Sequence, residues 1–255
     1  VSVAVVPLAL TATPAPEFQL PASVSIHQLY DASPLGVVGM VGQGVANGAM
    51  LSLLAVYGQA AGFSISQTAW FASAPLIGGL LLQWPVGRLS DHLDRRIVLT
   101  ATAFIAGAAG LAAYSLADSS MLALAIAIGL VGGMTLPQYA LCIAHTNDHL
   151  MPAQMVAASS TLLLVNGIGL AIGPTVAAMF MDYYSNDSLF LVLAVSEFMV
   201  GVFAAYRMTR RAAVPLDEQG QFVAMSPRLS PVATQAAVQV SQEYPATEEN
   251  PTETH

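Results

Sequence analysis

The chain alternates between long apolar runs and short polar segments, and this pattern predicts six membrane-spanning helices. Crossing the hydrocarbon core of a bilayer takes about 20 residues of helix, and each run supplies close to that length or more. Ser33 is the expected N-cap of the first span, and Ser64-Ile65-Ser66-Gln67 has the form of a capping box before the second. The predicted spans cover residues 34–57, 68–86, 97–116, 121–143, 152–181 and 189–206.

The segments outside these spans differ from one another in composition. Residues 1–10 are apolar but too short to span, and we interpret them as the end of a truncated preceding helix. Residues 11–32 predict a cytoplasmic linker, because a Pro-Ala-Pro sequence interrupts helix formation. Residues 33–207 form the predicted six-helix transmembrane bundle. Residues 208–255 predict a disordered cytoplasmic tail, since they are too polar to bury a core.

Composition places the chain among polytopic α-helical membrane proteins. Hydrophobic residues make up 55% of the chain and charged residues 9%, against about 25% charged residues in a typical soluble domain. The formal net charge of −8 argues against a nucleic-acid partner. The single cysteine, Cys142, excludes an internal disulfide framework and is expected to be a small apolar packing residue.

Arginine positions predict the orientation in the membrane. All seven basic residues are arginines, and in a six-span arrangement they fall on one side: Arg88, Arg95, Arg96, Arg207, Arg210, Arg211 and Arg228. The opposite loops hold Asp118, Asp182 and Asp187 and no basic residue. Because basic residues favour the cytoplasmic side, the linker, the 87–96 and 145–151 loops and the tail are expected in the cytoplasm of a bacterial cell.

The polar segment 87–96 resembles the signature loop of the major facilitator superfamily, Gly-x-Leu-Ala-Asp-basic-x-Gly-basic-basic. The matching residues are Gly87, Leu89, Asp91, Arg95 and Arg96, whereas Ser90, His92 and Asp94 depart from the pattern. The resemblance implies a conformational-switch loop, to which Arg88 and Asp94 also belong. In this loop Gly87 is expected to allow a tight turn. Asp91 is expected to pair with an arginine or with a helix N-terminus of a partner half in one state only. The alternative is a plain positively charged cytoplasmic loop.

Longer stretches are similar to the YcaD-like branch of bacterial major-facilitator proteins. They are residues 35–39, 82–85, 144–148, 156–160 and 213–222. The resemblance implies that the chain is the C-terminal six-helix half of a twelve-helix fold, with an N-terminal half as its partner. Gly173-Pro174 is similar to the Gly-Pro kink of major-facilitator antiporters, so Pro174 is expected to bend its helix.

Glycines recur four residues apart in three spans. The pairs are Gly44 with Gly48, Gly129 with Gly133, and Gly169 with Gly173. Such pairs let two helix backbones approach closely. Packing is the favoured interpretation, and the alternative is that smooth glycine faces permit helices to slide during a conformational change.

Several polar residues lie at mid-depth in the predicted spans. The candidates for a substrate path are Gln43, Asn47, Gln138, Tyr139 and Asn166, although Tyr139 is equally compatible with a gating or an interfacial role. Glu197 is the only acid deep within a span, which makes it the candidate for ion coupling. The alternative for Glu197 is a protonated or hydrogen-bonded glutamate that stabilises a helix interface.

No constellation of catalytic residues is visible. His145 and His149 have a spacing that metal ligands use, but we assign them to a solvated loop rather than to a metal site. No Walker-type phosphate loop occurs, so the chain has no ATP-driven step of its own. We therefore expect no enzymatic activity, no metal and no cofactor.

These patterns predict an all-α membrane protein, six transmembrane helices that form one half of a major-facilitator fold, followed by a disordered tail. The expected function is secondary active transport of an unidentified small solute across the plasma membrane by alternating access. Two alternatives stay open: a membrane sensor or scaffold that retains the fold without transporting, and a half-size chain that dimerises. A polar cavity that water can reach would favour a transporter.

Overall fold

The computed structural model of the protein describes residues 24–210. The segments 1–23 and 211–255, and with them the expectations for the truncated helix, most of the linker and most of the tail, lie outside this range. Within it the chain forms seven helices and no strand: α1 (Ile26–Ala32), α2 (Pro34–Ala60), α3 (Ile65–His92), α4 (Arg95–Ser115), α5 (Met121–Asn147), α6 (Pro152–Tyr183) and α7 (Ser188–Met208).

The six predicted spans are confirmed as helices α2 to α7. Each of them is long and apolar enough to cross a membrane. The predicted caps are also present. The Ser33 hydroxyl accepts a hydrogen bond from the backbone N–H of Gly36. Ser64 and Gln67 form the reciprocal pair of bonds that defines a capping box. Local sequence therefore sets where α2 and α3 begin.

The short helix α1 was not predicted within the 11–32 linker. Ser25 and Gln28 form a capping box at its start, and Leu29 is fully buried. The Thr161 hydroxyl of α6 donates to the carbonyl oxygen of Val24 at 2.8 Å. A helix of seven residues is too short to show a hydrophobic period in the sequence. Its contacts with α2 and α6 hold it in place.

The expectation that residues 87–96 form a loop with a tight turn at Gly87 is wrong. Helix α3 continues to His92, so that Leu93 and Asp94 alone separate it from α4. Gly87 is buried inside the helix, and Gly62, between α2 and α3, is the one residue of 24–210 with a positive φ. The charged residues end the apolar run, but the backbone hydrogen bonds of the helix continue through them. No proline follows Pro85 within α3 to interrupt these bonds.

The packing of the bundle is symmetric under exchange of α2–α4 with α5–α7. Helix α2 packs mainly on α6, and α5 packs correspondingly on α3. Helix α4 packs against α7. The interface between α4 and α5 corresponds to the interface between α7 and α2. A repeat of three helices ends on the opposite side of the membrane from where it began, so the second repeat is inverted relative to the first.

Glycines make the α2–α6 crossing possible. A Cβ on Gly44 would lie 2.6 Å from the carbonyl oxygen of Asn166, and one on Gly169 would lie 3.0 Å from the Cα of Gly44. Gly48 faces the backbone of Leu170 in the same way, and Gly173 faces that of Val45. The packing role predicted for these two glycine pairs is confirmed, because the two backbones touch without side chains between them.

The third glycine pair lies at the equivalent crossing of α3 and α5. A Cβ on Gly78 of α3 would meet the backbone of Gly129, and one on Gly133 would lie 3.1 Å from the carbonyl oxygen of Gly78. Gly132 approaches the backbone of Pro75 just as closely. Both symmetry-related crossings are thus built on glycine.

The glycine crossing predicts the effect of adding one methyl group. Gly169→Ala places a Cβ against the backbone of Val41 and Gly44, which cannot move aside as a side chain can. We expect a loss of about 1–3 kcal/mol in the free energy of unfolding, measured in detergent micelles. Gly167→Ala is the matched control on the same helix, because no atom lies within 4 Å of its Cβ position. Equal loss in both variants would contradict a backbone contact at Gly169.

Candidate functional site

Six polar side chains at mid-depth form three hydrogen-bonded pairs between helices, and all of them are 0–2% exposed. The pairs are Gln43 with Asn166, Asn47 with Thr135, and Gln138 with Glu197. The structure thus brings four of the five predicted path residues and the coupling candidate into the interior of the bundle. Buried polar groups in a membrane need such partners, because no water is present to replace them.

The first pair lies beside the glycine crossing of α2 and α6. Asn166 Nδ2 donates to Gln43 Oε1 at 2.5 Å and to the carbonyl oxygen of Met40 at 3.2 Å. Asn166 Oδ1 is buried and has no partner. Close backbone approach at Gly44, the next residue along α2, lets the two short amides reach each other. The pair therefore depends on the same contact that holds the two helices together.

The second pair joins α2 to α5. The Thr135 hydroxyl donates to Asn47 Oδ1 at 3.1 Å. Thr135 was not among the sequence candidates, because a single threonine in a long apolar helix gives no signal of its own. Its place one turn before Gln138 is the one feature that could have indicated it.

The third pair joins α5 to α7. Gln138 Nε2 donates to Glu197 Oε2 at 2.8 Å, and both residues are fully buried. Helix α5 packs mainly on α3 and α4, and α7 packs mainly on α4 and α2, so this bond is one of few direct contacts between α5 and α7. The remaining oxygens, Gln138 Oε1 and Glu197 Oε1, have no hydrogen-bond partner.

Tyr139 and Pro174 lie apart from these pairs. Tyr139 is 4% exposed and belongs to an apolar cluster that includes Met40 and Leu141, which does not fit the interfacial alternative. Its place on a substrate path stays a prediction. Helix α6 runs as one helix through Pro174. Its preceding residue, Gly173, contributes to the crossing with α2.

We call the end of the bundle with the α3–α4 and α5–α6 loops the arginine end. There Arg95 Nη1 contacts both carboxylate oxygens of Asp148, at 2.6 and 2.7 Å, and donates to the carbonyl oxygen of Ala144 at 3.3 Å. The side chains of Arg95 and Asp148 are 2% and 5% exposed. This buried ion pair fastens the start of α4 to the end of α5. Asp148 falls within the 145–151 segment, which its polar neighbours predict to be a loop, so its burial corrects that expectation.

Arg96 makes a second ion pair at this end, with Asp94, at 2.6 Å. Partial burial acts to raise the pKa of Asp94, but the hydrogen bonds and positive charge of Arg96 outweigh it and hold the pKa below its usual value. Asp94 is therefore ionised at neutral pH. Its side chain also caps α4 by accepting from the backbone N–H of Arg96.

The residues predicted to form one switch loop divide into two groups. Arg95, Arg96 and Asp94 pack against the bundle, whereas Arg88 and Asp91 lie on an exposed face of α3. Arg88 stacks over the ring of Trp84 at 5.6 Å. A groove of about 580 Å³ runs along this face, lined by Leu80, Gln83, Trp84, Gly87, Arg88, Asp91 and His92.

The assignment of His145 to a solvated loop is wrong. Helix α5 extends four residues past its predicted end, and His145 is 6% exposed within its last turn. The rings of His145 and His149 meet edge to face with centroids 4.8 Å apart. Among residues 24–210, no group of three or more His, Cys, Asp or Glu side chains could hold a metal ion. Cys142 is buried, in agreement with a packing role.

Comparison with known proteins identifies the family. The profile of the Major Facilitator Superfamily matches residues 33–240. Proteins named "Uncharacterized MFS-type transporter YcaD" from Escherichia fergusonii, Salmonella paratyphi B and Salmonella newport are each 30% identical over 165 residues. The match covers 65% of this chain and 42% of each relative, so the chain spans less than half the length of these relatives. The chain belongs to the major facilitator superfamily and is YcaD-like.

Membership of this family, together with six helices able to span a membrane, makes the chain a multi-pass membrane protein of a transporter family. The resemblance in the 87–96 segment and in the longer stretches is therefore confirmed at the level of the family.

The buried ion pair predicts a large effect of removing one partner. Asp148→Ala leaves the Arg95 guanidinium without its carboxylate, and we expect a loss of about 3–5 kcal/mol in the free energy of unfolding. The double variant Arg95→Met with Asp148→Leu, which removes both charges, should recover most of that loss. Asp31→Ala is the control, because its contact with His27 is largely exposed. Denaturant unfolding in micelles measures all three, and a double variant no more stable than Asp148→Ala would contradict the unpaired charge as the cause of the loss.

Proposed function

We propose that this chain forms the C-terminal six-helix half of a secondary active transporter, which moves a small solute across the bacterial plasma membrane by alternating access. The inverted repeat, in which α2–α4 and α5–α7 pack in equivalent ways, is the observation that carries the proposal. Transporters built from such repeats bind substrate near the bilayer midplane and expose it to each side in turn.

Charge supports an orientation with the arginine end in the cytoplasm. Arg88, Arg95, Arg96, Arg207 and Arg210 all lie at that end of the helices. The opposite loops carry Asp118, Asp182 and Asp187 instead. Since basic residues are retained on the cytoplasmic side during insertion, the opposite end faces the periplasm in this proposal.

The faces of α3 and α6 are proposed to contact the second half. The fraction of the span that is buried is 22% for α3 and 33% for α6, whereas it is 50–61% for the other four spans. The two helices occupy equivalent places in the two repeats, as the middle helix of each. At Gly167 the α6 backbone itself is open, with nothing within 4 Å of a Cβ.

The path and switch residues take their roles from this arrangement. Gln43 and Asn166 bond across the α2–α6 crossing, so a small movement of α6 away from α2 would present their amides to a solute. Asn47 bonds to Thr135 of α5, so a separation of α2 from α5 would release its amide. Asp91 lies on the exposed face of α3 at the cytoplasmic end, where a charge can be paired in one state and released in the other. Glu197 is the proposed coupling group.

One observation favours a second function, that of a membrane sensor or scaffold. All candidate path amides are buried and hydrogen-bonded within the half. The exposed face of α6 at mid-depth carries Leu164, Ile168 and Ile172. A scaffold needs no polar surface on this face of α6, whereas a transporter must expose polar groups there to its solute.

Orientation is tested by labelling single cysteines in a Cys142→Ala background with a membrane-impermeant thiol reagent. Leu93→Cys, in the α3–α4 loop, should react from the cytoplasmic side, and Ser185→Cys, in the α6–α7 loop, from the periplasmic side. Met151→Cys and Ser119→Cys are the controls, expected to follow Leu93→Cys and Ser185→Cys respectively, because an even number of spans separates each pair. Labelling of Leu93→Cys and Ser185→Cys from the same face would refute the topology.

The access of water to α6 distinguishes a transporter from a scaffold experimentally. In the twelve-helix protein of this proposal, Ala171→Cys should react with the impermeant reagent from each side of the membrane. Val195→Cys, on the exposed face of α7, should react from neither side because it faces lipid. Protection of Ala171→Cys from both sides would favour the scaffold. Adding Asp91→Asn should change the ratio of labelling from the two sides, and an unchanged ratio would remove the switch role of Asp91.

A further inference from the structure

Glu197 has an environment that an ionised carboxylate cannot easily tolerate. It is fully buried in the middle of α7, and its one hydrogen bond comes from the neutral amide of Gln138. No arginine, lysine or histidine lies within the stretch 97–144, which covers most of α4 and α5, or within 34–60 of α2. A buried charge without a counter-ion costs several kcal/mol, and burial as the neutral acid avoids that cost.

The unpaired oxygens of this pair point in the same direction. Gln138 Oε1 and Glu197 Oε1 are both acceptors, and neither has a donor. A carboxylic acid carries one donor that a carboxylate lacks. With a proton on Glu197 Oε1, the acid O–H can donate to Gln138 Oε1 while Gln138 Nε2 donates to Glu197 Oε2, so one added proton removes both deficits.

We propose that Glu197 and Gln138 form a proton-binding site within the membrane, in which the protonated carboxyl of α7 and the amide of α5 hold each other by two reciprocal hydrogen bonds. The ligand is the proton itself. The site deepens the proposed transport function, on which its role in coupling rests, by assigning the coupled ion.

The remaining titratable groups around the site are neutral at neutral pH. Helix α5 carries the Cys142 thiol and the Tyr139 phenol near this depth. Helices α2, α4 and α6, which pack against α7, bring no titratable side chain to the middle of the membrane: Tyr57, Tyr114, Asp182 and Tyr183 lie toward the opposite end, and Arg95 and Arg96 at the arginine end. The charge of Glu197 is thus decided by its contact with Gln138 and by access of water.

Release of the proton requires the pair to separate. Because α5 and α7 contact each other little outside this bond, a movement that draws them apart breaks few other direct contacts between these two helices and lets water reach the carboxyl. Water stabilises the carboxylate, so the acid ionises in the open arrangement and is reprotonated before the helices close. The position of the two helices and the protonation of Glu197 are thereby linked.

Infrared spectroscopy of the protein in lipid vesicles tests the site without any knowledge of the solute. A protonated carboxylic acid has a C=O stretching band that is separate from those of carboxylates. We expect this band at neutral pH in the wild type and its loss in Glu197→Gln. Asp118→Asn is the matched control, because Asp118 is exposed in a loop and its replacement should leave the band unchanged.

The partner is tested by Gln138→Met, which keeps the volume but removes the amide. The acid then loses its hydrogen bonds, and the band should move to higher frequency. If Gln138→Met does not fold, Gln138→Asn replaces it in the test, because the shorter asparagine side chain does not reach Glu197. Absence of the band at neutral pH, its survival in Glu197→Gln, or an unchanged frequency in the Gln138 variants would overturn the proposal. A failure of transport with these spectra intact would count against the proposed function alone.

Discussion

The close crossing of α2 and α6, repeated between α5 and α3, is the contact on which the rest of this bundle depends. Lipid chains are as apolar as leucine, so burial of apolar surface does little to hold helices together in a membrane. Backbone contact across Gly44 and Gly169 replaces it with dispersion and close packing. Removing side chains from the crossing also brings the two helices near enough for short amides to bond. The bond between Gln43 and Asn166 is therefore a consequence of the glycine contact and not a separate feature.

The two ends of the bundle follow the same inverted symmetry with different chemistry. At the arginine end, Arg95 at the start of α4 binds Asp148 at the end of α5. At the opposite end, the Tyr57 hydroxyl near the end of α2 donates to Asp187, just before α7, at 3.0 Å. Since α4–α5 and α7–α2 are equivalent contacts, polar bonds hold both of them at the ends of the helices. The stronger, doubly charged bond lies at the end whose loops carry the arginines.

The spans, their order and their start signals could be predicted from the sequence because they rest on local chemistry. Twenty apolar residues form a helix in lipid wherever they occur, and Ser64 with Gln67 caps a helix whatever lies beside it. The glycine pairs were also readable, since their spacing places them on one helix face. The expectation of a loop over residues 87–92 was wrong for a physical reason. Charged residues indicate that a segment lies outside the hydrocarbon core, whereas a helix ends where its backbone hydrogen bonds end. The charged residues of this segment did not interrupt those bonds.

The family, the membrane class, the six spans and the isolation of Glu197 as the one deep acid could therefore all be inferred from the amino-acid sequence. The hydrogen-bond partners became known from the packing of the helices: Asn166 bonds to Gln43, Thr135 to Asn47, and Gln138 to Glu197. The packing also moved Asp148 and His145 from an assumed solvated loop into the packed end of the bundle. The physical reason is that the depth of a residue in the membrane follows from its position along one helix. Its rotational position against a second helix depends on how the two backbones cross.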